Sequence, residues 1–158
     1  MVSGIREIGW SSNSTLVRVF WIVFPATAIL SVIVSPYMAL ASLAYFLMIA
    51  GLAHRKERVV HVRLMSAAIA LDLILVLVLE IQRSAVETAV GMPLGIPQKI
   101  HILFSLSAVL TYGPVVYLGW RRYRGKASKV QKSRHLRLGV LAFVFRTVGY
   151  VFMFSMIK

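Results

Sequence analysis

Five stretches of this chain are apolar enough, and near enough to twenty residues long, to cross a lipid bilayer as helices. They run at about Leu16–Val34, Tyr37–Ala53, Val62–Ile81, Ile100–Trp120 and Leu136–Ile157. Inside hydrocarbon every backbone N–H and C=O must be satisfied within the segment itself, which leaves the helix as the way for such runs to span. Composition points the same way: 59% of the residues are hydrophobic and only 15% charged. Soluble domains carry roughly 45–50% and about 25%. A disordered chain, a cytosolic enzyme and a free DNA-binding protein are excluded on these grounds. The expected fold is an all-α integral membrane protein, one domain over residues 1–158, built as a bundle of five transmembrane helices.

Ser35-Pro36 is the only break between the first two spans, and Pro36 suits the first turn of a new helix, so a tight hairpin is expected there. Pro97 can start the fourth span in the same way. Pro25 and Pro114 lie inside spans, where they should kink the helix. Residues 1–15 lack the apolar core of a cleavable signal peptide, so the first span reads as a retained anchor.

The chain carries 18 Lys and Arg against 5 Asp and Glu, a net charge of +13. In a soluble protein that balance would suggest nucleic acid. Here the basic residues cluster in two loops between apolar runs, which is a signal of membrane topology, and no nucleic acid is implied. One loop holds Arg55, Lys56, Arg58 and Arg63; the other holds Arg121, Arg122, Arg124, Lys126, Lys129, Lys132, Arg134 and Arg137. The opposite side has Arg83, Lys99 and Lys158. The asymmetry predicts a multi-pass protein of the inner (cytoplasmic) membrane, with the N-terminus and both basic loops cytoplasmic and the C-terminus extracytoplasmic. Those loops should also attract anionic lipid headgroups.

With no cysteine, thiolate metal sites, iron–sulfur clusters and covalently attached haem are excluded. Any ligand would be held by other groups, and the histidines are placed to serve. His61 opens the third span and His135 the fifth, both at the cytoplasmic edge, while His54 closes the second span on that side and His101 opens the fourth at the outer edge. Neutral imidazole is the commonest metal ligand and a standard axial ligand of haem iron. The simpler reading is that these rings anchor the helix ends among headgroups.

Charge within the membrane is the second signal. Asp72 lies mid-way along the third span and Arg146 mid-way along the fifth. Either one alone would cost about 2.5–3.5 kcal/mol at mid-bilayer. Each stands three helical turns beyond its own helix's histidine, about 16 Å deeper and on the same face. The third and fifth spans are therefore expected to lie side by side, with His61 near His135 and Asp72 paired with Arg146. Glu80, near the outer end of the third span, comes within reach of the level of His101 and could form an outer site. Tyr112, Tyr117 and Tyr150, with Trp10, Trp21 and Trp120, read as interfacial belt and packing residues, and the seven methionines as packing. No nucleophile elbow, phosphate-binding glycine loop or HExxH motif occurs, so no catalytic residue is assigned.

Several short motifs bear on identity: His61 with Leu64 and Met65 at the start of one span, His101 and Pro114 before the basic stretch Arg121–Gly125, and His135-Leu136-Arg137-Leu138 at the start of the last. On these residues the chain from about Tyr45 to Lys158 resembles the YozB/CtaM-like family of small bacterial membrane proteins, related to maturation of haem-copper oxidases. Arg83 stands about where the family has a further histidine, which leaves His61 and His135 as the better match. The resemblance implies a membrane accessory or assembly factor for a respiratory haem-copper oxidase, with haem, copper or another metal held at His61 and His135, and His101 as a further candidate ligand. Two other readings are a small haem-b electron-transfer subunit and a ligand-free structural subunit of a larger membrane complex.

Overall fold

Proline and its neighbours decide where two of the helices begin. Ser35 is extended (φ −167°, ψ 137°), and Pro36, which has no N–H to leave unpaired, opens α1, Pro36–Ala53. Gly95 is likewise extended ahead of α3, Ile96–Tyr123, with Pro97 in its first turn. Between them lies α2, Arg58–Arg83. The last helix, α4, covers Lys129–Met153 and runs into a short 3-10 turn at Phe154–Met156. The computed structural model describes residues 33, 35–83, 91 and 93–156; the expected first crossing, apart from Ile33, falls outside them.

Among the described residues the regular structure is all helical, with four helices long and apolar enough to cross a membrane, so the chain is a multi-pass membrane protein. Its surface fits that solvent. Leu77, Leu103, Leu110 and Leu136 are each 60–70% exposed. Small side chains fill the helix contacts, including Ala41 and Ala44 of α1, Ala68 of α2, Ala108 of α3 and Ala142 of α4, all buried. Between apolar lipid and an apolar helix face there is no hydrophobic gain from association, so close packing of small residues and polar contacts must hold helices together.

α4 starts seven residues ahead of the expected span at Leu136. The reason is a capping box: the Ser128 hydroxyl accepts from the Gln131 N–H at 3.3 Å, and the Gln131 side chain accepts from the Ser128 N–H at 3.1 Å. The helix thus begins in basic, water-facing sequence, and hydropathy marks only its buried part. At the preceding turn, α3 ends on Gly125 at φ +72°, with Gly125 N–H bonded to Arg122 O and Lys126 N–H to Arg121 O. That double closure needs a left-handed residue, which glycine adopts without strain.

Short turns make α1 pair with α2 and α3 with α4, and the two hairpins meet through α1 with α4 and α2 with α3. The second and fourth helices therefore face each other across the diagonal. This corrects the expectation that they lie side by side: a turn of four or five residues forces sequence neighbours to be spatial neighbours. Both basic turns sit at one end, tied where the Arg58 guanidinium donates to the carbonyls of Arg122 and Tyr123 and stands 5.3 Å from the Tyr123 ring centroid. Tyr117 and Trp120 are exposed near that end, Trp120 with the Arg124 guanidinium 4.3 Å from its ring. These fit the interfacial role read from the sequence.

α3 and α4 pack tightly at Gly149, where an added Cβ would lie 2.7 Å from Ser105 Oγ and 3.2 Å from the Ser105 backbone nitrogen. Gly139, on the same helix, has open space. Gly149→Ala should therefore destabilise the protein by about 1–3 kcal/mol. Gly139→Ala should be neutral or stabilise it by up to about 1 kcal/mol. Thermal unfolding of both variants in mild detergent tests the contrast, and equal effects would refute the assigned crossing.

Candidate functional site

A carboxylate and a guanidinium buried in a lipid-embedded bundle must find each other or leave a charge unmatched. Asp72 and Arg146 do so across the diagonal. Arg146 Nε donates to Asp72 Oδ2 and Nη2 to Oδ1, each at 2.7 Å, in a two-point clamp. Both residues are buried, at 5% and 6% exposure. The long arginine side chain makes this contact between helices that share few close backbone contacts.

The clamp recruits the remaining helices. Tyr112 of α3 donates its hydroxyl to Asp72 Oδ2 at 2.7 Å, and Arg146 Nη2 donates to the Ala41 carbonyl of α1 at 3.2 Å. One connected network thus reaches all four described helices. Around the clamp, Tyr150 donates to Ser42 Oγ at 3.0 Å and Tyr45 to Thr147 Oγ1 at 3.2 Å, with the two tyrosine rings stacked at 4.3 Å. Tyr112 and Tyr150 are buried, not members of an interfacial belt. A signal for Tyr112 was present: it falls mid-span, where a hydroxyl needs a partner and has no interface to reach.

Three histidines share one local geometry. His61 turns Nδ1 onto the Gly51 carbonyl of α1 at 2.7 Å, His135 onto the Val115 carbonyl of α3 at 3.2 Å, and His101 onto the Gly149 carbonyl of α4 at 2.7 Å. A carbonyl oxygen can only accept, so Nδ1 carries the proton and Nε2 of the neutral ring keeps its lone pair. The same arrangement orients metal-binding histidines in general: one ring nitrogen is fixed by a backbone acceptor and the other is offered. His61 and His135 stand within electrostatic reach of each other at the basic end, and Arg122 is close to His135 as well. The His135 ring lies against Gly119, where a Cβ would come within 3.2 Å of its Cε1.

His54, by contrast, pairs through Nδ1 with Glu57 at 3.1 Å on the exposed first turn. His101 lies at the other end of the bundle, where Gln98 of the same helix donates to the Ser155 carbonyl at 2.9 Å. Glu80 is exposed near the outer end of α2. Among the described residues no group of three or more His, Asp and Glu is placed to hold a metal ion. A metal at the rim would need donors beyond the two imidazoles and the carboxylates.

Breaking the clamp from one side should be costlier than removing it. Asp72→Leu or Arg146→Met alone is expected to lose about 3–5 kcal/mol, because each leaves a buried charge without its partner. The double variant should lose less than either. Folded yield and thermal stability in detergent check this, and additive losses would mean that the two charges do not depend on each other. Compared with protein-family models, curated proteins and solved structures, the chain matches none.

Proposed function

We propose that this chain is a non-catalytic membrane accessory or assembly factor for a respiratory haem-copper oxidase, and that it holds haem or a metal at His61 and His135. The single observation that carries this reading is the orientation of those two rings. Each is fixed through Nδ1 to a backbone carbonyl on a neighbouring helix, so each Nε2 is left as a lone-pair donor at the same end of the bundle. Haem iron and soft or borderline metal ions both accept imidazole nitrogen, so the donors present suit either group. If haem is bound there, the neighbouring arginines, Arg122 among them, would pair with its propionates. The respiratory complex as partner rests on the motif resemblance.

The shared location of both basic turns supports a cytoplasmic placement of that end, beside anionic headgroups of the inner membrane. With the apolar run at about Leu16–Val34 counted as a fifth crossing, the N-terminus is cytoplasmic and the C-terminus extracytoplasmic. A second reading has its own support. The network around Asp72 and the bonds from His61 and His135 to carbonyls already fasten helices together, which is what a ligand-free structural subunit would need.

Substitution by asparagine separates the two readings, because the asparagine amide nitrogen occupies the place of Nδ1 and nothing occupies the place of Nε2. In the ligand reading, His61→Asn and His135→Asn keep the fold and lose the bound haem or metal. In the structural reading they keep the fold and every function of the wild-type protein. Absorption spectra and metal analysis of protein purified in mild detergent, with oxidase maturation followed in cells, give the answer. Wild-type protein that is colourless, metal-free and unable to take up either group would overturn the proposal.

A further inference from the structure

We infer that the rim site is built for cuprous copper, with the Met65 thioether as a ligand beside the Nε2 atoms of His61 and His135. This rests on the ligand-holding reading above and names the ion it would take.

The sequence pattern assigns Met65 to packing; its position in the fold suggests more. Met65 follows His61 by four residues on α2, so the two side chains sit one above the other on one face. Both converge on the same residue of α1. His61 Nδ1 is 2.7 Å from the Gly51 carbonyl oxygen, and Met65 Sδ would stand 2.8 Å from a Cβ built on Gly51. The missing side chain at position 51 makes room for the sulfur, beside the carbonyl that takes the imidazole. His135 is the third donor, within electrostatic reach of His61 from the opposite hairpin.

Charge and softness select the ion. Two neutral imidazoles and a thioether bring no negative charge. Asp72 is committed to Arg146 and Tyr112, and Glu57 to His54. An uncharged donor set stabilises a divalent ion poorly, and the guanidinium of Arg122 near His135 adds to the cost of each positive charge placed there. A monovalent ion suffers least. Thioether sulfur is a soft donor that favours Cu(I), while zinc and the hard cations gain little from it. A chain without cysteine has methionine as its soft donor. The thioether carries no proton to lose, and each imidazole binds only as the neutral ring, so acid should weaken binding.

The test is anaerobic titration of the full chain in mild detergent with Cu(I) against a chromophoric Cu(I) chelator, with Zn(II) and haem titrated in parallel. Wild-type protein should take one Cu(I) per chain and hold it more tightly than Zn(II). Met65→Leu, which conserves volume, should weaken Cu(I) binding by at least about tenfold. His61→Asn should do the same, and Met38→Leu, in the other buried cluster, should change nothing. X-ray absorption of the copper-loaded protein should show a sulfur neighbour that Met65→Leu removes. Failure to retain Cu(I), or equal retention by folded Met65→Leu protein, overturns this inference. Haem binding that depends on His61 in protein that takes no Cu(I) would overturn it while sustaining the broader ligand reading; binding of neither would end both.

Discussion

Asp72 and Arg146 impose the arrangement on which the rest of the bundle depends. Each stands near the middle of an apolar helix, where the unpaired charge is costly. The two-point contact between them removes that cost only if α2 and α4 are held at one depth and one rotation. Because these helices are diagonal, the pair passes through the centre of the bundle and the other two helices must close around it. Tyr112 and the Ala41 carbonyl occupy the remaining hydrogen-bonding positions. Contacts between the hairpins are thin compared with those inside each hairpin. The network is therefore the main directional link between two units that turn geometry alone would leave free to slide.

Depth fixed at the centre is transmitted to the rim by helix geometry. His61 and His135 each lie three turns from a member of the clamp, so registering Asp72 with Arg146 also brings the two imidazoles to a common level. The carbonyl contacts then set ring orientation. Helix backbones in the bundle serve here as acceptors in a second sense, each accepting a side-chain proton from a neighbouring helix. In hydrocarbon such a bond both joins helices and leaves one ring nitrogen uncommitted.

Much of the fold was legible in the residues. Four of the apolar runs correspond to helices, the prolines at 36 and 97 stand in first turns, and the interval of three turns placed Asp72 opposite Arg146. Legibility stopped where the signal was not periodic. Nothing in hydropathy reports that α4 extends back to Ser128, because a capping box works in polar sequence. Met65 reads as a packing methionine in sequence, and only the fold sets it against Gly51, whose carbonyl also takes His61; Tyr112 reads as a belt or packing residue, and only the fold puts its hydroxyl on a carboxylate.

By itself the sequence determined that this is a chain for lipid, with helices as its elements and its basic turns gathered on one side. Those properties follow from residue-by-residue transfer energies and from the demand that each segment satisfy its own backbone, both of which are local. Tertiary structure alone decided that α2 and α4 are diagonal, that the clamp reaches four helices, and which carbonyl each histidine takes. These are matters of which helix stands next to which, and side-chain reach across a gap cannot be computed from spacing along one strand of sequence.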